Sequence, residues 1–283
     1  MVSESKVSYS ATDRRERLLE VIDERGFARV AELSETFGVS DVTIRSDLDL
    51  LDQQQAITRV HGGAVIRNRS LEREPSFEQA LEASAAEKQQ IGRLAASLVR
   101  PGQSVLLDVG STALAVAKAL VARTDLSDVV VITNGLSIAL ALEPGIPRLT
   151  VIVTGGTLRP LQHSLVEPLA SSMLRNLHAD LAFIGCNGVD ADRGVTNVNL
   201  PEAQLKRLML ESSTRAVIIA DRSKLGQVHL GRIGGIERFA ALVTSASPVE
   251  PATDARLEPL AETGLRLITD VAAAAQFASQ FAA

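Results

Sequence analysis

The sequence from Val30 to Val65 reads VAELSETFGVSDVTIRSDLDLLDQQQAITRVHGGAV. This pattern predicts a short helix, a tight turn, a second helix and a two-stranded hairpin that turns at Gly62. Gly38 suits the end of the first helix, and Ser40 suits the N-terminal cap of the second. The apolar residues of the second helix recur at spacings of four and three, which places them on one buried face: Ile44, Leu48 and Leu51.

The opposite face of the second helix is short and mostly polar apart from one arginine. It carries Val42, Thr43, Arg45, Ser46 and Asp49. Small side chains let a helix enter the major groove of DNA, where arginine binds guanine or phosphate. The same pattern is equally typical of an ordinary amphipathic helix with a solvated polar face, so this face alone does not decide between the two.

The hairpin after this helix favours the DNA-binding interpretation. Its basic residues have no acidic residue among them: Arg59, His61, Arg67 and Arg69. Glycines at the tip let the chain approach a phosphate backbone closely. We therefore predict that the contacts with DNA come from the following residues: Ser40, Thr43, Arg45, Ser46, Arg59, His61 and Gly62.

The motif S-x-x-T-I-R-x-D-L, followed by R-V-H-G-G-A, resembles the winged helix-turn-helix of the DeoR/GlpR family of bacterial transcription regulators. The resemblance spans about Arg14 to Val65. It departs from the family at Ser46, where a basic residue is usual, and this difference bears on the operator sequence. The resemblance implies a homo-oligomer that binds a double-stranded DNA operator through two such heads.

The composition excludes several other classes of protein. The chain has 283 residues, 46% of them hydrophobic and 22% charged, which fits two globular domains with a substantial core. A net charge of −5 argues against a protein that coats nucleic acid indiscriminately. Aromatic residues make up only 3%, which argues against stacking on single strands as the main mode of binding.

The cellular location and cofactor chemistry are also constrained. The single cysteine, Cys186, follows an apolar run and suits a small buried residue at a strand end in a reducing compartment. The four histidines are scattered, so we expect no metal site and no cofactor. No signal peptide begins the chain and no apolar run is long enough to span a bilayer, so we predict a cytoplasmic protein without a membrane partner.

The domain organisation follows from a change of pattern along the chain. We predict a disordered N-terminus over residues 1–12, the winged helix-turn-helix over 13–67, a charged linker over 68–84 and an effector-sensing domain over 85–283. Short apolar runs alternate with helical segments in the last part, which predicts an α/β fold with a mostly parallel sheet covered on both faces. The predicted strands are Val105–Asp108, Val129–Thr133, Leu149–Thr154, Leu181–Ile184, Ala216–Ala220, Leu242–Ser245 and Leu265–Ile268.

Polar residues follow several of these strands, where the loops of a parallel sheet meet at one edge and bind ligands. The turn from Asp108 to Thr112 opens a helix and combines a glycine with two hydroxyls, a phosphate cradle that could equally be a plain N-terminal cap. It lacks the glycine pattern of a dinucleotide loop or a P-loop, so NAD and ATP fit poorly. The predicted ligand-binding residues are Asp108, Gly110, Ser111, Thr112, Asn134, Gly155, Gly156, Asp190, Glu202, Lys206 and Lys224.

The order of these motifs from about Glu87 to Thr244 resembles the DeoR-type sensor domain, which shares its fold with ribose-5-phosphate isomerases and CoA transferases. The resemblance implies a phosphorylated sugar or related metabolite as effector. Gly110, Ser111 and Thr112 would hold the phosphate, with Lys224 as counter-charge. The sugar hydroxyls would be bound by Asp190 and Glu202. It also implies a repressor of a carbohydrate-metabolism operon that the effector releases from its operator.

The main alternative is a sugar-phosphate isomerase. The isomerases that share the fold implied by this resemblance use paired aspartates in an Asp-Gly-Ala-Asp loop. This chain has Asn187-Gly188-Val189-Asp190 instead, and an amide cannot take up the proton. Glu202 is still a possible catalytic base, but we predict a protein that is not an enzyme and assign no catalytic residue. A CoA transferase needs an activated glutamate that we cannot identify, and an architectural DNA-binding protein does not explain a sensor of this size.

Overall fold

The computed structural model describes residues 11–25, 27–53, 57–60, 62–66, 74–245 and 256–280. Contacts within the chain divide it into two compact units, Met1–Arg73 and Glu74–Ala283. Among the residues described, no helix has the length and apolar character needed to cross a membrane. Most of the predicted disordered N-terminus lies outside these ranges, and the first helix already begins at Ala11.

The first unit, which we call the head, is a helix-turn-helix with a small antiparallel sheet. Its helices are α1 (Ala11–Arg25), α2 (Val30–Phe37) and α3 (Asp41–Gln53). Its strands are β1 (Phe27–Arg29), β2 (Ile57–Val60) and β3 (Gly63–Ile66), in the order β1-β3-β2. The predicted hairpin is β2–β3. The prediction lacked β1, because three residues are too few to show a strand periodicity.

The turn between α2 and α3 forms as the sequence predicts. Gly38 ends α2 in the left-handed conformation, with φ of 63°, which glycine adopts without strain. The Ser40 hydroxyl accepts a hydrogen bond of 3.2 Å from the backbone amide of Thr43 and so caps α3. The predicted apolar face of α3 is buried in the core of the head, together with residues of α1 and α2: Leu18, Ile22, Leu33, Phe37, Ile44, Leu48 and Leu51.

The second unit, which we call the sensor, is an α/β domain. Its helices are α4 (Phe77–Glu82), α5 (Ala85–Ser97), α6 (Ser111–Ala122), α7 (Leu136–Leu142), α8 (Leu169–Leu174), α9 (Leu200–Glu211), α10 (Glu258–Glu262) and α11 (Val271–Ser279). Its strands are β4 (Ser104–Leu107), β5 (Val129–Thr133), β6 (Leu149–Val153), β7 (Thr157–Arg159), β8 (Ser164–Val166), β9 (Ala179–Gly185), β10 (Gly188–Asp190), β11 (Gly194–Asn197), β12 (Ser213–Ile219), β13 (Gly231–Gly234), β14 (Ala241–Val243) and β15 (Arg266–Ile268).

All seven predicted strands form one parallel sheet in the order β15-β14-β12-β9-β4-β5-β6. Side chains of β4 alternate between two cores: Val105 and Leu107 pack with α5, α6, α7 and α11, and Leu106 packs on the side of α8, α9 and α10. A sheet covered on both faces explains why its strands read as continuous apolar runs. The hairpin β7–β8 and the small antiparallel sheet β10-β11-β13 were not predicted.

The strand order reverses between β4 and β9. From β4 the chain moves outward through β5 to β6, and it then returns to the other side of β4 to form β9, β12, β14 and β15. Loops that leave neighbouring strands in opposite directions open a crevice at the carboxyl ends, where ligands bind in open α/β sheets. The loops after β4 and β9 therefore flank the crevice.

The predicted linker over residues 68–84 is wrong in its second half. Residues 74–84 belong to the sensor and include α4. Phe77 is 5% exposed and packs in the core between the sheet and α5. The Ser76 hydroxyl accepts a hydrogen bond of 3.3 Å from the amide of Gln79, which caps α4. One aromatic anchor and one cap suffice to order a segment whose charged composition indicates a linker.

Candidate functional site

A polar pocket lies in the crevice at the carboxyl ends of β4, β9 and β12. Its volume is about 80 Å³, which holds several waters at roughly 10–15 Å³ each, or one small polar ligand. It is lined by Glu74, Pro75, Ala80, Lys88, Val109, Gly110, Ser111, Thr112, Gln162, Gly185, Cys186, Asn187, Asn197, Glu202, Lys206, Asp221 and Lys224.

Six of the predicted ligand-binding residues meet in this pocket. They are Gly110, Ser111, Thr112, Glu202, Lys206 and Lys224. They come from the loop after β4, from α9 and from the loop after β12, so widely separated parts of the sequence converge there. Asp108 lies directly beneath the pocket, 1% exposed, and takes part through Lys206.

The N-terminus of α6 forms one end of the pocket. Gly110 precedes the helix with φ of 99°, and no side chain caps the helix there. The first backbone bond of the helix runs from the Leu114 amide to the Gly110 carbonyl, so the amides of the first turn have no acceptor within the helix. These amides and the helix dipole favour an anion.

A buried ion pair supports the floor of the pocket. The Lys206 ammonium donates to Oδ2 of Asp108, and the two side chains are 5% and 1% exposed. Oδ2 also accepts from the Gly185 amide at 2.9 Å, whereas Oδ1 is buried without a hydrogen-bond partner in the described part of the chain. Burial by itself lowers the pKa of Lys206, but the Asp108 and Glu202 carboxylates outweigh it and raise that pKa above the usual lysine value. Lys206 is therefore charged, and its charge is committed to Asp108.

A second charged group joins α9 to the β7–β8 hairpin. Oε1 of Glu202 accepts from Arg159 at 2.8 Å and from the Ser164 hydroxyl at 2.6 Å. Arg159 also binds Glu74 through both of its terminal nitrogens. Glu202 is 3% exposed, and the described residues give its Oε2 no hydrogen bond. Oε2 is thus left as an acceptor for a ligand hydroxyl.

The other two lysines of the pocket, Lys88 and Lys224, differ in the number of hydrogen bonds and ion pairs that they already make within the protein. Lys88 donates to the carbonyls of Ala80 and Ala83, each at 2.6 Å, and lies 3.8 Å from Asp221. Burial lowers the pKa of Lys88, although Asp221 opposes this. Lys224 has no carboxylate within 4 Å among the residues described, so it is the pocket lysine best placed to meet an incoming anion.

Cys186 lies at the end of β9 and lines the pocket. Burial raises the pKa of its thiol to about 12, so it carries no nucleophilic thiolate at neutral pH. Cys186 is partly buried at this strand end, where the sequence predicts a small buried residue.

Four predicted ligand-binding residues do not reach the pocket. Asn134 is buried and its amide donates to the carbonyl of Leu165 at 3.1 Å. Gly155 and Gly156 follow β6, the edge strand that is two positions away from β4, and the sheet order places them beyond the crevice. Asp190 accepts from the amides of Asp192 and Arg193 and closes a turn between β10 and β11. The structure does not bring these four residues to the pocket, because residues at strand ends share one edge of the sheet but not one point on it.

Several pocket residues were missed by the sequence reasoning. They are Glu74, Lys88, Gln162 and Asn197 in the lining, and Arg159 behind it. Asp221, which also lines the pocket, directly follows a predicted strand, and Lys88 lies on a predicted helix. Each position gave a weak indication of a residue near the pocket. Glu74 and Arg159 lie in segments that predicted a linker and a loop, and no periodicity connects them.

The polar side of α3 is exposed in the head. Arg45 and Ser46 are exposed, Thr43 is partly buried beside its bond to Ser40, and Val42 is 75% exposed. Thr43 and Arg45 are therefore not part of the core of the head. Asp47, on the adjacent side of α3, is buried and accepts from Arg14 of α1 at 2.7 Å, so it fixes the orientation of the helix.

The wing residues are placed only in part. Nη1 of Arg59 donates to Oδ1 of Asp49 at 2.8 Å and to the carbonyl of Arg45 at 3.1 Å. Arg59 thus rests on α3, and a phosphate must compete with Asp49 for it. Gly62 is exposed with φ of 80° and accepts a hydrogen bond from Val30 at its carbonyl. The predicted contact at His61, together with Arg67 and Arg69, lies outside the described residues.

Each of the two units matches the model of a known protein family. Residues 14–70 match the model of the DeoR-like helix-turn-helix domain, and residues 83–246 match that of the DeoR C terminal sensor domain. A solved ribose 5-phosphate isomerase A from Methanocaldococcus jannaschii covers 53% of this chain and 56% of its own, at 17% identity and a TM-score of 0.38.

Characterised relatives match over nearly the whole chain. The HTH-type transcriptional regulator GolR of Listeria innocua is 35% identical over 82% of this chain and 89% of its own length. The transcriptional repressor AccR of Agrobacterium fabrum is 32% identical over 84% and 90%. The glycerol-3-phosphate regulon repressor of Escherichia coli is 30% identical over 84% and 92%. The chain therefore belongs to the DeoR family of DNA-binding transcriptional regulators.

Proposed function

We propose that this protein represses a carbohydrate-metabolism operon and leaves its operator when a phosphorylated sugar or related metabolite binds the sensor. One observation carries the effector class: a single pocket combines the uncapped N-terminus of α6, beside Lys224, with the open oxygen of Glu202. The first end suits a phosphate, and the second suits a hydroxyl. A relative named for the glycerol-3-phosphate regulon supports a phosphorylated polyol.

On the DNA side, Thr43, Arg45 and Ser46 read bases or position α3 in the major groove, and Arg59 with the wing holds backbone phosphates. Two heads of a homo-oligomer would span half-sites about one helical turn apart or a multiple of it. The chromosome is the target, so we place the protein at work in the cytoplasm. Effector binding weakens DNA affinity by a coupling of ~1–3 kcal/mol, and DNA weakens effector binding by the same factor.

We infer that the pocket binds its ligand without converting it. Isomerisation needs a carboxylate free to take a proton from carbon. Asn187 presents an amide, whose Oδ1 already accepts from the Val198 amide at 3.0 Å. Oε1 of Glu202 already accepts hydrogen bonds from Arg159 and Ser164, so this oxygen is occupied within the protein. These contacts favour recognition over catalysis.

A thermal-shift screen tests the effector class. Inorganic phosphate, glycerol 3-phosphate and pentose and hexose phosphates are added to the full chain, and the melting of the sensor is followed. A true effector near a hundredfold over its Kd stabilises the sensor by ~2.7 kcal/mol. A set of sugar phosphates that leaves the melting temperature unchanged would contradict the proposal.

Ser111→Glu locates the phosphate end. It sets a negative charge against the ligand phosphate, so the thermal response disappears while binding to operator DNA is retained. Ser172→Glu is the matched control, because Ser172 is exposed on α8 and does not line the pocket. A response lost equally in both variants would show a general effect of charge and remove α6 from the phosphate site.

A further inference from the structure

The first residues of the sensor form a wall of the effector pocket. Glu74 and Pro75 line it together with Gln162 of the β7–β8 segment. We call residues 74–76 the strap. In sequence the strap directly follows Arg73, the last residue of the unit that carries the head. The chain therefore passes from the DNA-binding unit straight into the pocket wall.

Contacts with the β7–β8 segment hold Glu74 and Pro75, and the cap of α4 holds Ser76. Arg159 binds both carboxylate oxygens of Glu74, and the Gln162 amide donates to the Pro75 carbonyl at 2.7 Å. The Glu74 side chain is 7% exposed and that of Arg159 is 18% exposed. Solvent screens such a pair weakly, so the strap depends on this guanidinium.

The same guanidinium also positions the ligand-facing carboxylate. Nη1 of Arg159 donates to Oε1 of Glu202 at 2.8 Å and to Oε1 of Glu74 at 3.3 Å. One nitrogen therefore divides its hydrogen bonding between the pocket and the strap. Burial raises the pKa of Glu74 above the usual carboxyl value, although the Arg159 hydrogen bond opposes the rise. The Glu74 carboxylate is thus weakly hydrated, and Arg159 stabilises its negative charge.

We propose that Arg159 is a positioning residue through which effector binding at Glu202 is passed to the strap at Glu74. The proposal rests on the proposed function, since it concerns the same pocket. A ligand hydroxyl that donates to Glu202 takes up part of the negative charge that holds Arg159. The hydrogen bonds of the guanidinium then shift between Glu202 and Glu74, and the hold on the strap changes with them. Coupling between sites requires an element with two discrete arrangements, and in this proposal the guanidinium bound more strongly to Glu202 or to Glu74 supplies them.

The first test needs no ligand. Glu74→Gln and Glu202→Gln are made singly and together, and the unfolding of the sensor is measured in urea. If Arg159 links the two carboxylates, the fold-change in the unfolding constant of the double variant departs from the product of the single fold-changes. Additive effects would overturn the proposal whatever the effector is.

The second test measures coupling in the full chain. The Kd for operator DNA is determined with and without glycerol 3-phosphate and ribose 5-phosphate, in the wild type and in Glu74→Gln. We expect ~5–150-fold weakening by the effector in the wild type and less than twofold in Glu74→Gln, with the effector Kd of each protein measured separately and the effector added at a saturating concentration for both. Glu82→Gln is the matched control, because Glu82 is an exposed carboxylate of α4 outside the pocket, and it keeps the wild-type ratio.

The outcomes separate the two proposals. A Glu74→Gln variant that binds the effector and is released from DNA as the wild type is would overturn the role of Arg159 and leave the repressor function standing. A wild type that shows no thermal shift and no release with any sugar phosphate would contradict the repressor function, and the urea cycle then still decides on the link. Arg159→Lys, which keeps the charge but loses the forked geometry, is expected to restore part of the release that Arg159→Met loses.

Discussion

The head and the sensor use charge in opposite ways. On the polar side of α3, which we propose faces DNA, Arg45 is exposed, and the pair of Arg59 with Asp49 has side chains 26% and 61% exposed. In the sensor pocket, Lys206 and Asp108 are 5% and 1% exposed, and Glu202 is 3% exposed. On this side of α3 the head keeps its cations at the surface, whereas the sensor pocket buries its charges and satisfies them within the protein. The pair of Arg14 and Asp47, on the adjacent side of α3, is largely buried, as are those of the pocket.

This difference separates stability from binding. Exposed ion pairs contribute little to folding, because water and salt screen them. A buried charge whose partner is removed is strongly destabilising, since nothing replaces its lost hydration. Substitutions on α3 should therefore change DNA affinity and spare the fold. Substitutions beneath the pocket should lower the stability of the sensor and leave the DNA-contacting residues of the head unchanged.

The largest effect is expected at the floor of the pocket. Lys206→Met leaves Asp108 buried without a cation, so Asp108 either stays charged at high cost or takes up a proton. We expect a loss of ~3–5 kcal/mol in the free energy of unfolding of the sensor, measured by urea titration followed by circular dichroism.

The double variant Lys206→Met with Asp108→Asn is the control. It removes the uncompensated charge and keeps an oxygen for the Gly185 amide, so it should recover much of the lost stability. A single variant as stable as the wild type would mean that this pair is not the buried support described here, and the contrast between the two units would fail.

The fold of the sensor could be predicted from sequence because the strands of a parallel sheet that is buried on both faces are continuous apolar runs in the sequence. Every run, from Val105–Asp108 to Leu265–Ile268, became a strand of one sheet. Short elements stabilised by their neighbours could not be predicted in this way. β1, β7 and β8 have three residues each, and α4 owes its order to Phe77 and the Ser76 cap.

The site could be predicted only where local chemistry and sheet position coincide. The loop from Gly110 to Thr112 carries its own signal, because a glycine and hydroxyls open a helix. Asn134 also follows a strand and precedes a glycine, but its amide donates a hydrogen bond to the carbonyl of Leu165. The group formed by Arg159 and Glu74 depends on two segments 85 positions apart, and only the fold brings them together.

The next effect concerns the exposed arginine of α3. Arg45→Ala should weaken operator binding by ~1–3 kcal/mol and leave the unfolding of the head nearly unchanged, because no buried charge is created. Gel-shift titration at fixed salt measures the first quantity, and urea unfolding measures the second. Arg93→Ala, at an exposed position of the sensor, is the control and should bind operator as the wild type does. Unchanged binding by Arg45→Ala would remove α3 from the groove.

A smaller effect is expected at Val42, an apolar side chain 75% exposed among the groove-facing residues. In the major groove an apolar side chain contacts the C5-methyl group of thymine. Val42→Ala removes two methyl groups and should cost about 0.8 kcal/mol of operator affinity for the one that the thymine methyl buries. Replacing operator thymines one at a time by deoxyuridine should cost the wild type a similar amount at one position and cost Val42→Ala nothing there. If no thymine distinguishes the two proteins, Val42 does not read a methyl group.

The smallest change is expected for the pair of Arg59 and Asp49, which tests the exposed side of the comparison. Asp49→Asn removes the carboxylate 2.8 Å from the guanidinium but leaves a neutral side chain of the same shape. Because the pair is exposed, the free energy of unfolding of the head should fall by only ~0.2–1 kcal/mol. Arg59 is then released to bind phosphate, so operator affinity should rise at low salt. The slope of log K against log salt should steepen by up to ~0.9, the amount for one added phosphate contact. A loss of several kcal/mol in stability, or an unchanged slope, would mean that Arg59 serves the fold of the head rather than the DNA, and the head would then resemble the sensor more than its exposed charges indicate.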